Sequence, residues 1–326
     1  MRVLFWGTPE FGLPSLEAMR AAGHEIAGIV TNPDRPAGRG RRLRASPVKV
    51  WALEAGVPVL QPARPGDEEF LAAARRLRPD ISVVAAYGRL LPRAALDLPP
   101  LGSLNVHASL LPELRGAAPI NWAIIRGHRE SGISIQRMVV ELDAGPVLGQ
   151  TRIPISATMT AGELYREAAE AGGARLVAVL DDLASGRSVE TPQDDARATW
   201  APKLDREAAR IDWSRPAAEV ANRLRGCDPW PAAWTPLAAP AGLAGTRVQC
   251  FEPGVGDAGA DDAGAGSAHS GVSPGSVVEA DPARGLRVAT GSGAIAIGAV
   301  KPAGRRRMSA AEWVRGLQDP KEVRFG

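Results

Sequence analysis

Arg2-Val3-Leu4-Phe5-Trp6 reads as a buried strand broken at Gly7 and Pro9; Phe11 to Ala22 follows as a helix ending near Gly23, and Glu25 to Thr31 as a second strand. The pattern then repeats. Val57 to Leu60 is short and apolar, Glu68 to Leu77 is amphipathic, and Ile81 to Ala86 is a continuous apolar run stopped by Tyr87-Gly88. Short apolar strands alternating with helices predict a parallel sheet covered on both faces, a doubly wound, Rossmann-like α/β domain. In such sheets ligands sit beyond the carboxyl ends of the strands, where Tyr87-Gly88 and Asn105-Val106-His107 fall.

Gly7 and Gly12 are spaced like part of a dinucleotide fingerprint, but Gly7-Thr8-Pro9-Glu10-Phe11-Gly12 lacks the second glycine of that pattern, so a pyrophosphate cradle is not expected. A tight strand-to-helix turn is the simpler reading of the two glycines. Ser131 to Val140 predicts a strand, Ile120 to Arg126 a helix, and Ala161 to Leu183 a long helix. From Ile211 the chain changes character. Arg247 to Phe251, Gly275 to Glu279, Gly285 to Ala289 and Ala294 to Val300 are short apolar segments between Gly, Pro and Asp turns, as in a small β-barrel. The expected organisation is a first domain over 1–189, a linker over 190–207, and a barrel domain over 208–326 with a surface insertion near 253–275, where large apolar side chains are scarce.

A chain of 326 residues suits two domains, each with its own core. A net charge of +3 with 23% charged residues does not announce a nucleic-acid binder, so that reading must rest on local clustering. Cys227 and Cys250 have no metal-ligand spacing and suggest no disulfide framework, and with no H-E-x-x-H or C-x-x-C, no metal is expected. The first residues are unlike a secretory leader, and no apolar run reaches the eighteen or so residues of a membrane span. A soluble, cytoplasmic protein is expected, and nothing argues against a monomer.

Asn105, His107 and Asp143 form the candidate catalytic set: an amide donor for a developing oxyanion, an imidazole to handle protons, and a carboxylate to orient it. Two residues apart on an extended segment, Asn105 and His107 share one side. Spacing alone is equally well met by a histidine satisfied within the core and an aspartate capping the turn Leu142-Asp143-Ala144-Gly145, neither with any chemistry to do. No G-x-S-x-G elbow is present, so direct transfer without an acyl-enzyme is favoured.

The string Asn105-Val106-His107-Ala108-Ser109-Leu110-Leu111-Pro112-Glu113-Leu114-Arg115-Gly116-Ala117-Ala118-Pro119-Ile120-Asn121-Trp122-Ala123-Ile124 resembles the signature of the folate-dependent formyltransferases. Phe5-Trp6-Gly7-Thr8-Pro9, Pro36-Ala37-Gly38-Arg39-Gly40, Arg210-Ile211-Asp212-Trp213 and Asp228-Pro229-Trp230-Pro231-Ala232-Ala233-Trp234 extend the likeness over nearly the whole chain, toward the branch that acts on methionyl initiator tRNA. The resemblance implies a catalytic role for Asn105, His107 and Asp143, an OB-like fold for the barrel domain, and 10-formyltetrahydrofolate as formyl donor. It also implies that Ser109, Leu110, Leu111 and Pro112 run along that donor, with backbone groups toward the pterin and apolar side chains against its rings. Glu113 departs from the pattern. Many members are basic there, which puts a contact with an acidic group of folate or RNA in question.

Arg35, Arg39, Arg41, Arg42, Arg44 and Lys49 lie in a stretch without an acidic residue, with Gly38 and Gly40 between them. A solvated charge run accounts for such a segment as well as a phosphate-binding loop does. The resemblance favours the second, since members that formylate initiator tRNA carry a basic loop here that reaches the acceptor stem. Lys301, Arg305, Arg306 and Arg307, with Arg223 and Arg225, add positive charge in the second domain, where solubility is the competing role. Trp213, Trp230 and Trp234 are expected to pack in the core or between domains rather than to stack on bases.

Overall fold

The structure, a computed structural model, describes residues 1–37, 42–254, 272–281 and 285–326. Arg39 and Arg41, and residues 255–271 of the expected insertion, lie outside the described residues. The chain divides into two compact units, one formed by 1–119, 130–154 and 165–202, the other by 120–129, 155–164 and 203–326.

The first unit is built on seven strands: β1 (Arg2–Gly7), β2 (Glu25–Val30), β3 (Val59–Leu60), β4 (Ile81–Ala85), β5 (Ser103–His107), β6 (Glu130–Arg137) and β7 (Val147–Pro154), in the order β7-β6-β5-β4-β1-β2-β3. The five strands from β5 to β3 are parallel, while β6 and β7 add antiparallel at one edge. The doubly wound architecture read from the sequence is present, with an antiparallel extension that the apolar pattern of β7, interrupted by Gly149, Gln150 and Arg152, did not reveal. On one face of the sheet Trp6 lies edge-on to Phe70 and Tyr87, each 5.4 Å away, within a cluster that includes Leu4, Leu71, Val84 and Leu96. Burying each such side chain contributes about 2 kcal/mol. Tyr87 is therefore a core residue rather than a lining for ligand.

The helix Ala161–Ala184 comes close to its neighbours at Gly172 and Gly173. A Cβ on Gly172 would stand 2.9 Å from Val106 Cγ1, and one on Gly173 would stand 2.7 Å from the Pro14 carbonyl oxygen. Both positions need glycine because larger residues would push the helix off the strands.

In the second unit β8 (Trp234–Ala239), β9 (Arg247–Gly254), β10 (Val277–Asp281), β11 (Gly285–Ala289), β12 (Ala294–Pro302), β13 (Met308–Ser309) and β14 (Arg324–Phe325) are all antiparallel, ordered β10-β11-β12-β9-β8-β14 with β13 beside β12. A bridge between Ser276 and Arg324, with the Phe325 N–H donating to Gly275 O at 2.8 Å, brings the two ends of that order together into a nearly closed barrel. Closure satisfies edges that would otherwise be free to pair with another chain. Val248, Cys250, Leu286, Val288, Ile295, Ile297 and Phe325 are buried there, and Trp213 stacks on Phe325.

Candidate active site

Asn105 and His107 sit on β5, at the carboxyl end of the last parallel strand, and the two-residue period points both to one side while Leu104 and Val106 are buried on the other. The neighbouring strand β6 is in register so that Asn105 faces Gln136 and His107 faces Ser134. Beyond β6 the chain turns at Asp143, whose φ of 52° is left-handed, a conformation Asp tolerates better than most residues. Gly145 follows because a Cβ there would lie 1.9 Å from the Arg137 carbonyl oxygen.

That turn places the Asp143 carboxylate at the centre of the site. One oxygen, Oδ1, accepts from Gln136 Nε2 at 2.8 Å and from Asn105 Nδ2 at 3.4 Å, and lies 3.6 Å from His107 Nδ1. The other oxygen accepts the Gly116 N–H at 2.9 Å. Gln136 and the Gly116 amide donate here, so each Asp143 oxygen serves as an acceptor. The His107 and Asp143 side chains are 6% and 8% exposed, which keeps water from screening the pair.

His107 Nε2 is 3.1 Å from the Leu114 carbonyl oxygen. A carbonyl only accepts, so Nε2 carries a proton, and Nδ1 is the nitrogen left to exchange one on the side of Asp143. The ring is thus held at Nε2, with Nδ1 turned toward Asp143. Arg115 is buried too, donating to Gln193 Oε1 at 3.1 and 2.8 Å and to Asp195 Oδ1 at 2.7 Å.

The segment after β5 is internally braced. Ser134 Oγ donates to Ser109 O and accepts from Leu111 N, Gln150 Nε2 donates to Leu111 O, and Ser109 Oγ donates to Glu113 O. Leu110 packs over Gly132, where a Cβ would meet Leu110 Cδ2 at 2.6 Å. Leu111 is buried, while Leu110 and Pro112 are half-buried. Glu113 stands 3.7 Å from Arg197, so a cation lies near this position although the residue itself is acidic.

The basic stretch divides. Arg35–Ala37 and Arg42–Arg44 form a small antiparallel hairpin with Arg35 opposite Arg44, both exposed. Lys49, by contrast, lies in the helix Pro47–Glu54 and donates to Asp34 Oδ2 at 2.7 Å and Gln61 Oε1 at 2.8 Å. The Lys49 bond to Asp34, followed by one from Gln61, holds the Asp34 carboxyl below its ordinary range.

In the second unit Lys301 and Arg305 are exposed. Arg306 pairs with Glu312 at 2.7 Å, and Arg307 pairs with Glu252 at 2.8 Å and lies over the Phe251 ring. Arg225 is not surface charge. It is buried, donates to Met159 O and Asn222 Oδ1, and burial pulls its basicity down. Trp213 is packed as expected, but Trp230 is 60% exposed, and Trp234 is half-buried with Arg247 4.0 Å over its ring.

Sequence reasoning did not find Gln136, Gln193 or the Leu114 carbonyl. Gln136 carries only a weak signal, one polar residue among several in Glu130–Arg137. Gln193 carries none, since it sits in a stretch that reads as linker.

A mostly parallel α/β sheet bearing an Asn-His-Asp cluster at a strand end is joined in one chain to an antiparallel barrel, and the comparisons with known proteins place both parts in the formyl transferases. The formyl transferase profile matches residues 1–180 and the profile of the formyl transferase C-terminal domain matches 203–318. Methionyl-tRNA formyltransferases from Nocardioides sp. and Thiobacillus denitrificans are each 45% identical over 326 residues, covering all of this chain and 98% and 100% of those proteins. The one from Moorella thermoacetica is 42% identical over 97% of this chain and 96% of its own. The chain belongs to the methionyl-tRNA formyltransferase family. Solved structures share the fold at lower identity. HypX from Aquifex aeolicus, in complex with tetrahydrofolic acid, matches with a TM-score of 0.62 at 20% identity over 96% of this chain and 47% of that one. An N-formyltransferase from Helicobacter canadensis, in complex with folinic acid and dTDP-3-aminofucose, matches with a TM-score of 0.64 at 14% identity over 91% and 99%.

Proposed function

We propose that this protein transfers the formyl group of 10-formyltetrahydrofolate to the amino group of methionyl initiator tRNA, by direct attack of the amine and through a tetrahedral intermediate. The observation that carries the reading is the convergence of Asn105 Nδ2 and His107 Nδ1 on Asp143 Oδ1, at 3.4 and 3.6 Å, in a buried site. Both approaches are longer than a closed hydrogen bond, so the Asn105 amide is not saturated by the carboxylate and His107 Nδ1 is left open to take a proton.

The attacking amine must first lose a proton, and His107 Nδ1 is placed to take it, with Asp143 holding the resulting imidazolium. As nitrogen bonds to the formyl carbon, the carbonyl oxygen becomes negative. The Asn105 amide donates to it, and such a donor supplies on the order of 3 kcal/mol. His107, now protonated at Nδ1, is a second donor. The attached nitrogen then gives up its second proton to the folate nitrogen as the bond from carbon to that nitrogen breaks; the carbonyl returns as the new formamide, and the proton held by His107 passes to solvent.

The donor's rings are assigned to the Ser109-Leu110-Leu111-Pro112 segment, mainly through side chains. Its Ser109 and Leu111 carbonyls already serve Ser134 and Gln150, so they offer the pterin only their second lone pairs. For the RNA, exposed Arg35 and Arg44 on the hairpin, Arg42 beside them in the same hairpin, and Lys301 and Arg305 on the barrel are assigned to phosphates. Arg39 and Arg41 belong to the same basic stretch, outside the described residues. Arg306 and Lys49 would have to leave their partners Glu312 and Asp34 first.

Formyl transfer from 10-formyltetrahydrofolate, measured with methionylated initiator tRNA, methionylated elongator tRNA and a nucleotide amino sugar, tests the reading. Selective formylation of the initiator is expected. Product on the amino sugar alone would keep the catalytic set and remove tRNA as substrate.

A further inference from the structure

The stretch 191–201 does more than lead out of the first unit. Thr191 pairs with Val147 in both directions, at 2.8 and 2.9 Å, which starts the segment beside the Asp143 turn. Gln193 then turns its amide into that turn. Its Nε2 donates to Asp143 O at 2.8 Å and Gly145 O at 2.7 Å, while its Oε1 accepts from buried Arg115. Six residues on, Thr199 Oγ1 accepts the Leu114 N–H at 2.9 Å and Thr199 O accepts the Arg115 N–H at 2.8 Å. Leu114 is the residue whose carbonyl fixes His107 Nε2. One segment therefore holds the two groups that flank the imidazole, the Asp143 turn on one side and Leu114 on the other.

The burden on Gln193 is specific. Asp143 has a left-handed backbone, as does Leu114 with a φ of 59°, and such conformations persist only where neighbouring contacts over-determine them. Gln193 closes the first of these turns from outside, and Gln136 fixes the carboxylate from inside at 2.8 Å.

We infer that Gln193 is a positioning residue for catalysis: with Gln136 it sets Asp143 against His107 Nδ1, and the segment carrying it, which reads as linker, is part of the catalytic apparatus. The inference rests on the proposed roles of Asp143 and His107. It predicts that loss of the Gln193 donor slows the chemical step without weakening substrate binding, because Gln193 itself faces protein groups on both sides of its amide.

The test uses the full chain with Gln193→Glu and Gln193→Ala. Q193E keeps the shape and the acceptor for Arg115 but sets an oxygen against the carbonyls of Asp143 and Gly145. Expected is a fall in kcat of about 100-fold, the scale for a catalytic group displaced by about an ångström, with KM for tRNA and folate donor within about twofold of the unaltered protein and the variant still folded at the assay temperature. Near-normal kcat in Q193E would make Gln193 a packing residue and overturn the inference. A rise in KM with kcat intact would move it to substrate binding, with the same result. Should Q193A unfold, Gln136→Ala, which leaves the turn's backbone contacts in place, carries the same expectation of a kcat effect alone. Nitrogen NMR of the His107 ring in the unaltered protein and in Q193E needs no substrate. A changed Nδ1 signal with Nε2 still protonated supports the inference, and identical spectra refute it. If the unaltered protein formylates no tRNA, the proposed function fails while the ring spectra still decide this point.

Discussion

The cluster around Asp143 and the hairpin Arg35–Arg44 are both polar, and they differ in how their polar atoms are spent. Around Asp143, both carboxylate oxygens, both nitrogens of His107 and the Gln193 amide face protein partners within 3.6 Å. On the hairpin, Arg35 and Arg44 are exposed and directly opposed across the two strands, an arrangement of like charges that costs stability unless something negative arrives. A buried site that must hold a proton-transfer geometry is filled in advance by its own protein. The hairpin arginines proposed to meet phosphates face outward instead.

Breaking the first region should have the larger effect. His107→Ala or Asp143→Asn is expected to lower kcat by between about 10² and 10⁴-fold, with tRNA affinity little changed. Single-turnover formylation beside filter binding separates the two quantities, and near-normal turnover would remove these residues from the mechanism. Breaking the second region should weaken binding and spare chemistry. Arg35→Ala combined with Arg44→Ala is expected to raise KM for tRNA about tenfold at physiological salt and to reduce the log–log salt slope by about one to two units. Unchanged salt dependence would return the hairpin to a solvated charge run.

The same contrast governs what is legible in the sequence. Asn105 and His107 can be read because a strand's period of two is fixed, and their facing one side needs no tertiary knowledge. The parallel core is legible for a similar reason, since β1, β2 and β4 are short apolar runs between helical segments. Gln193 is illegible because its role comes from a chain return of some fifty residues to the Asp143 turn, and an isolated amide in a polar stretch has no pattern. Lys49 and Arg225 show the opposite failure. Counting charge puts both on a binding surface, but Asp34 and Gln61 claim one, and Ser156, Met159 and Asn222 claim the other.

Lys49 sharpens the comparison with a smaller effect. Lys49→Ala should leave the tRNA salt slope almost untouched and lower thermal stability slightly, because its ammonium serves Asp34 rather than a phosphate. The pH dependence has a definite sign. Asp34 is held below its ordinary range in the folded protein by the bonds from Lys49 and Gln61. Its contribution is therefore present at neutral pH and above the unfolded carboxyl's range, and is lost as the pH falls through the lowered folded value. The stability difference between the unaltered protein and Asp34→Asn should shrink on acidification, and a constant difference from about pH 7 to about pH 3 would show the pair to be idle.

The smallest effect belongs to the second unit's two thiols, Cys227 at the end of the helix Ala217–Gly226 and Cys250 on β9. Cys227 and Cys250 are free and buried, and burial pushes both thiols up to about 12, so that at about pH 8 only about one in 10⁴ is the reactive thiolate. Iodoacetamide at that pH should leave the native protein unmodified and fully active, while denaturant should expose both cysteines at once. Neither sulfur takes part in transfer, so any loss of activity under native conditions would have to come from opening of the second unit. Modification of Cys250 with the first unit's tryptophan fluorescence unchanged would show that the barrel opens independently, at a free-energy cost well below global unfolding. The closure made by Ser276, Arg324 and Phe325 would then be the seam that parts.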